Sequence, residues 1–307
     1  MKNLGMARIL VSGASGLVGS TLVPSLKASG AHVVRLVRAG PAPRPGSDEE
    51  NIPWDPSQPI SADAVSGFDA VVHLAGETVV GRWTAAKKAR IRDSRIPATR
   101  NLAQALAHAK KRPGVFLCAS AIGYYGNRGD ELLNEESTSG TGFAADLARD
   151  WEAATDATAQ SGIRTVRMRI GIVLAASGGA LKKMLPAFKM GVGGRLGDGR
   201  QWMSWIDVQD VAGALLHILQ TDFLSGPVNV VSPKPVTNAD FTKTLASVLS
   251  RPAFFPMPAF AARIAFGQMA DELLLASQRV EPAKLISSGY PFRFSDLRAS
   301  LEDTLAR

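Results

Sequence analysis

Glycines at 13, 16 and 19 follow the apolar run Ile9-Leu10-Val11 and precede a stretch whose apolar residues fall at helical spacing. Glycine there lets the chain turn sharply at a buried strand's end and bring its backbone against a pyrophosphate with no Cβ in the way. It also packs the next helix closely on the sheet, with that helix's N-terminal amides facing the phosphates. The chemistry is dinucleotide binding, with Gly13, Ser15, Gly16, Leu17, Val18 and Gly19 as the expected contacts. A second feature concerns the adenosine end. The next strand finishes at Val37-Arg38, where a carboxylate would accept from a ribose 2′-hydroxyl. Without that carboxylate, and with a permanently charged guanidinium alongside, the pattern favours a 2′-phosphate. It therefore favours NADP(H) over NAD(H), with Arg38 as the phosphate contact.

The elements that must position these residues alternate. Strand patterns at 8–11, 33–37, 70–74, 115–118, 165–170 and 228–231 are separated by helical patterns at 17–29, 85–109, 142–161 and 208–220, the last capped by Asp207 or Ser204. Alternation of this kind predicts an α/β fold, a doubly wound parallel Rossmann sheet with helices on both faces. Pro41, Pro43 and Pro45, with Pro53 and Pro56, read as a loop interrupting the second crossover, and the glycine-rich 191–199 reads as a mobile loop. Beyond Val231, prolines surround helical stretches at 238–249 and 259–275. The expected division is a dinucleotide-binding domain of 6–174 plus about 202–232, and a smaller C-terminal substrate or lid domain of about 175–201 plus 233–307.

Composition narrows the classes. A chain of 307 residues, 46% hydrophobic, can bury a full core. No run reaches the roughly 18 apolar residues of a membrane span, and residues 1–8 lack an apolar signal core, so a cytoplasmic protein making no membrane contact is expected. The single cysteine, Cys118, reads as a small buried hydrophobe, and the four histidines lack ligand spacing, so no metal is assigned. The net charge of +8 is concentrated between Arg82 and Arg112, where ten cations face the single acid Asp93. That points to a basic face for cofactor phosphates or an acidic substrate, with nucleic acid as a minor alternative.

The ordered motifs resemble the short-chain dehydrogenase/reductase superfamily in its extended, NAD-dependent epimerase/dehydratase-like form. They are similar, more narrowly, to an atypical epimerase-family subgroup with a C-terminal domain of unknown function of the DUF1731 type. The resemblance rests on Ser12 to Gly19, on His73-Leu74-Ala75-Gly76, on Ser120 to Gly126 and on Trp205 to Val211. The subgroup's own marks include Arg82-Trp83-Thr84, Asp93-Ser94-Arg95, Asp150-Trp151-Glu152 and Gln201-Trp202-Met203-Ser204. It implies that Leu74, Ala75, Gly76 and Ser120 lie beside the cofactor.

The same resemblance exposes a departure. The superfamily's Tyr and Lys of YxxxK act as general acid or base and its tuner. Here the corresponding segment holds Ala144 and Ala148, and Arg95 replaces the usual Asn of the preceding helix. The remaining catalytic candidates are Ser120 (Ala121 aligns equally well), Tyr124, Tyr125 and Arg95, expected to surround the nicotinamide and bind or polarise a substrate carbonyl or carboxylate. Glu77 is an acid/base candidate if buried, and Trp202, Met203 and Trp205 are candidate walls. Two functions compete: an NADP(H)-dependent oxidoreductase or nucleotide-sugar-epimerase-like enzyme for a small polar or anionic substrate, and a non-catalytic NADP(H) sensor or scaffold. Oligomeric state stays open.

Overall fold

In the computed structural model, which describes residues 4–38 and 50–306, one seven-stranded sheet carries the architecture. Its strands are β1 (Arg8–Ser12), β2 (His32–Val37), β3 (Glu50–Pro53), β4 (Ala70–His73), β5 (Val115–Ala121) and, after the short β6 (Leu132–Leu133), β7 (Arg164–Ile170). Three short strands, β8 (Ile172–Ala175), β9 (Trp202–Met203) and β10 (Trp205–Asp207), lie outside the sheet, which β11 (Gly226–Val230) completes. The order is β11-β7-β5-β4-β1-β2-β3, with every pair parallel. The chain winds outward from β1 through β2 and β3, returns to β4, and then winds the other way. A crevice therefore opens between the ends of β1 and β4, where such sheets bind ligands.

Helices α1 (Gly19–Ala28), α2 (Ala85–Asp93), α3 (Ile96–His108), α4 (Phe143–Ala153), α5 (Asp156–Gln160), α6 (Gly179–Lys189) and α7 (Val208–Gln220) precede the C-terminal α8 (Asn238–Val248), α9 (Ala259–Phe266), α10 (Ala283–Ser287) and α11 (Leu297–Ala306). Two further short strands are β12 (Val236–Thr237) and β13 (Arg279–Val280). One apolar core packs α1 and α7 on the sheet through Leu22, Leu26, Leu215 and Ile218, and a second packs α3 and α4 on the other face through Leu102, Leu106, Leu147 and Trp151. A third core joins α6, α8 and α11 through Leu181, Phe188, Phe241, Leu245 and Leu301. Asp207 links the sheet side to this third core. One of its oxygens caps α7 at the Gln209 amide, 2.8 Å, and the other accepts from Ser300 and Thr304 on α11.

Four sequence expectations change. The calls on Pro41, Pro43 and Pro45 lie outside the described residues, but the stretch that follows them is the edge strand β3, whose Ile52 pairs with Leu36. The helix expected over 85–109 is two helices, because α2 ends at Ser94-Arg95 and α3 restarts with Pro97 in its first turn, where a proline costs nothing. The stretch 259–275 breaks at Gly267, φ +61°, and resumes as a π-helical turn over Ala270–Leu274. The glycine-rich 191–199 is tied down rather than loose: Gly197 donates to the Met257 carbonyl and Met257 to the Arg195 carbonyl, each at 2.9 Å, and Leu196 donates to Asn238 Oδ1 at 2.8 Å. Among the described residues no helix is long and apolar enough to cross a membrane.

Candidate cofactor and substrate site

The crevice is shaped by the glycines. Gly13 has φ +70°, and a Cβ there would lie 2.7 Å from the Leu74 carbonyl carbon, so the turn presses on the end of β4 with no side chain between them. A Cβ on Gly19 would collide with the Gly13 carbonyl. The Gly16 amide closes the turn on Gly13 O at 3.0 Å, and α1 follows its N-cap Val18 with no side-chain cap and no acid in its first turn. A bare helix N-terminus beside a side-chain-free turn fits a pyrophosphate.

Beneath the turn runs a buried polar chain. Trp151 Nε1 donates to Thr99 Oγ1 at 2.9 Å, Thr99 meets His73 Nε2 at 3.0 Å, and His73 Nδ1 meets Ser12 Oγ at 2.6 Å. Burial, with the Arg95 charge nearby, lowers the His73 pKa to about 4, so the ring is neutral and serves as a strut. Arg38, at the end of β2, is exposed. Its charge also reaches Glu77. The pKa of Glu77 is lowered first by its hydrogen bond to Lys87, 2.7 Å, with Arg90 and Arg38 contributing. At 38% side-chain exposure and ion-paired, Glu77 is a standing anion and not the buried acid/base its position suggested.

The two hydroxyls nearest the end of β5 are committed elsewhere. Ser120 Oγ donates to Glu152 Oε1 at 2.7 Å, and Glu152 holds Arg169 through two bonds of 2.8 and 2.9 Å. Arg169 Nη1 in turn donates to Tyr125 OH at 3.0 Å, and that hydroxyl meets Asn229 Oδ1 and the Asn134 carbonyl. Burial pushes the fully enclosed Tyr125 up to about 12. Although burial opposes the Arg169 charge, its bonds to Glu152 prevail and raise its pKa. Ala121, the alternative in register, points to the other face of β5 and carries no polar atom.

Tyr124 and Arg95 differ. Tyr124 is half-buried with its ring 3.4 Å under the Arg169 guanidinium, and its hydroxyl makes no hydrogen bond among the described residues. Arg95 is half-buried and stacks 5.0 Å over Trp151. Its guanidinium lies where a Cβ on Gly76 would meet it at 3.0 Å. It donates only to the Ile91 carbonyl and Ser94 Oγ, with no carboxylate partner among the described residues, and burial lowers its pKa to about 10, so it stays charged at neutrality. Arg95 therefore presents a cation at the end of β4, beside the turn, that Glu77 reaches only through space.

The helix α4 lacks ionisable side chains at Ala144 and Ala148, and its N-terminus is capped from afar. Glu272, on the π-helical turn, accepts from the Phe143 and Ala144 amides at 3.2 and 2.7 Å. Gly142, φ +104°, makes room for that carboxylate. Trp83 covers Phe143 edge-on at 5.0 Å. Trp205 is core, while Trp202 hydrogen-bonds Asp130 and Met203 pairs with Val236. The basic segment does not form one face. Lys87 pairs with Glu77, Arg92 with Asp150 and Lys110 with Asp63, Arg82 and Arg112 donate to backbone carbonyls, and Arg95 turns inward. Cys118 is buried, and burial raises it to about 12, in keeping with an inert role.

Comparison with known proteins decides the family. The profile of the NAD dependent epimerase/dehydratase family matches residues 9–231. The chain belongs to the NAD dependent epimerase/dehydratase family. Its C-terminal residues 257–304 match the domain of unknown function DUF1731. The chain is 42% identical over 297 residues, 96% of both chains, to the epimerase family protein Mb2239 of Mycobacterium bovis. The human epimerase family protein SDR39U1 (isoform 2), whose crystal structure was solved with NADPH, superposes with TM-score 0.87 at 32% identity, covering 98% of this chain and 99% of that one. A nucleoside-diphosphate sugar epimerase from Corynebacterium glutamicum superposes with TM-score 0.81 at 36% identity, over 98% of this chain and 58% of that one. The resemblance read from the motifs, and the extended Rossmann-like fold it implied, are thus shown for this epimerase-family chain. Sequence reasoning did not single out Glu152, Arg169 or Glu272 for what they do. Glu152 lay in a quoted motif, but its pairing with Arg169 has no spacing signal.

Proposed function

We propose that this epimerase-family chain binds NADP(H) and acts as an oxidoreductase or epimerase-like enzyme on a small polar or anionic substrate. The observation that carries the reading is the turn at Gly13 and Gly19, where a Cβ is excluded on both sides and α1 starts uncapped. The NADPH of human SDR39U1 supports it for a relative. Gly13, Ser15, Gly16, Leu17, Val18 and Gly19 would hold the pyrophosphate, Arg38 the 2′-phosphate, and Leu74, Ala75, Gly76 and Ser120 would border the nicotinamide half. When bound, the nicotinamide supplies hydride transfer. Arg95 holds the substrate's carbonyl or carboxylate electrostatically, since an arginine does not exchange protons near neutrality. Tyr124 is the hydroxyl free to approach that group, and Ser120 and Tyr125 hold the wall behind it through Glu152 and Arg169.

The test is a titration of purified protein with NADPH and NADH, followed by nicotinamide fluorescence. NADPH should bind more tightly, and Arg38→Ala should weaken it by roughly tenfold while leaving NADH little changed, as loss of one charge-assisted phosphate contact requires. Absence of binding by either nucleotide would overturn the reading. A second reading, a non-catalytic NADP(H) sensor, is favoured by the alanines at 144 and 148 and by the engaged hydroxyls of Ser120 and Tyr125. It expects no NADPH oxidation with any carbonyl metabolite, together with protease protection of 191–199 on adding NADPH.

A further inference from the structure

A groove of about 470 Å³ lies between α8, Arg195 and the segment 251–256. Its walls include Arg195, Lys243 and Arg251 but no carboxylate, and none of the three is ion-paired among the described residues. Asp240, the acid nearest Lys243 on α8, is engaged with Thr237 in the helix cap at 2.6 and 3.1 Å, and Asp198 accepts from the Arg200 amide. Three cations therefore converge on one concavity with no protein anion to offset their mutual repulsion.

The groove is fixed by hydrogen bonds that each engage the backbone. Met257 donates to the Arg195 carbonyl at 2.9 Å and Leu196 to Asn238 Oδ1 at 2.8 Å, while Arg251 Nε is anchored on the Lys189 carbonyl at 3.1 Å. A Cβ on Gly199 would meet Ala239 Cβ at 3.1 Å and Arg195 Cδ at 3.2 Å, so the wall packs tightly there. Thr242, a lining residue only 6% exposed, carries a buried hydroxyl with no hydrogen-bond partner among the described residues. An orphaned hydroxyl in a helix interior is costly unless something satisfies it. Also in the lining, Phe254 is 82% exposed between Pro252 and Pro256, an aromatic surface left uncovered.

We propose that this groove binds a small organophosphate. The phosphoryl group sits among Arg195, Lys243 and Arg251, one of its oxygens accepts the Thr242 hydroxyl, and its apolar or aromatic part lies on Phe254. The site is separate from the dinucleotide turn and does not rest on the proposed activity.

Phenyl phosphate and inorganic phosphate, titrated into ¹⁵N-labelled protein, test it. Saturable amide shifts should be confined to α8 and residues 251–256, with phenyl phosphate the tighter of the two. Thr242→Val and Lys243→Ala should each weaken phenyl phosphate by roughly tenfold, the loss expected for one hydrogen bond to a charged group. Thr242→Val keeps the shape and net charge, so it separates a built site from a merely basic surface, and amide positions unchanged away from the groove in both variants show an intact fold. Equal affinity for the two probes, an inert Thr242→Val, or no saturable shift in the millimolar range would each overturn the proposal.

Discussion

Two arginines flank the end of the sheet and meet opposite fates. Arg169 is buried, doubly bonded to Glu152, and shares its remaining donors with Tyr125 and the face of Tyr124. Arg95 is half-buried and stacked on Trp151, but bonds only a carbonyl and a hydroxyl. A buried cation with a bond on each of its three nitrogens is part of the scaffold. One that retains its charge with no carboxylate bonded to it, at the mouth of a ligand crevice, is available to a ligand. The difference separates an arginine that holds the wall from one left to meet the proposed substrate.

The comparison breaks most visibly at Glu152. Glu152→Ala strands Arg169 in the interior and should cost about 3–5 kcal/mol of unfolding free energy, seen as a lower denaturant midpoint. A loss below about 1 kcal/mol would mean that the pair is not scaffold. A smaller effect comes from pH. His73 is held down at about 4 from an ordinary 6.5, so the unfolded chain takes up its proton first as pH falls. The contribution of the neutral ring is whole above pH 6.5 and is lost as pH falls toward 4, by about 3 kcal/mol. His73→Gln should flatten that window, and Arg95→Met should shrink it, because the Arg95 charge helps to depress His73; a pH series of denaturation curves reads both.

Between the tyrosines the contrast is finer. Tyr125→Phe should cost about 1–2 kcal/mol by orphaning Asn229 and one Arg169 donor, whereas Tyr124→Phe should stay within about 0.5 kcal/mol. Equal costs in thermal melts would erase the distinction between them. Arg95→Met should move stability by only about 1 kcal/mol or less, yet lower turnover or substrate affinity by roughly tenfold. If substrate handling is unchanged in that variant, Arg95 belongs with Arg169 in the scaffold.

Much of the fold was readable because strands buried on both faces appear as unbroken apolar runs. Ile9-Leu10-Val11 and Ala70-Val71-Val72 are of this kind, and both are central. β3 was missed because an edge strand needs no such run: Glu50 and Asn51 are polar and Pro53 ends it. The break between α2 and α3 was written in Pro97 but masked by helix-forming residues on either side. The cofactor turn was legible from glycine spacing, whose physical demand is local. The Ser120, Glu152, Arg169 and Tyr125 network was not, because strand alternation decides which hydroxyl turns toward α4 and the partners come from three different elements. Exposure, too, cannot be read from type: Tyr124 and Tyr125 are adjacent and identical in the sequence.

The cap on α4 has a consequence for how the chain is made. Glu272 follows Phe143 by 129 residues, so α4 emerges during synthesis long before the carboxylate that satisfies its first amides. A nascent chain that has already released all seven sheet strands still carries that helix with a bare N-terminus, because β11 ends at Val230. The wall beside the cofactor turn therefore sets only within the last quarter or so of the chain, and a ribosome stalled before residue 272 displays a fraying α4 on an otherwise complete sheet.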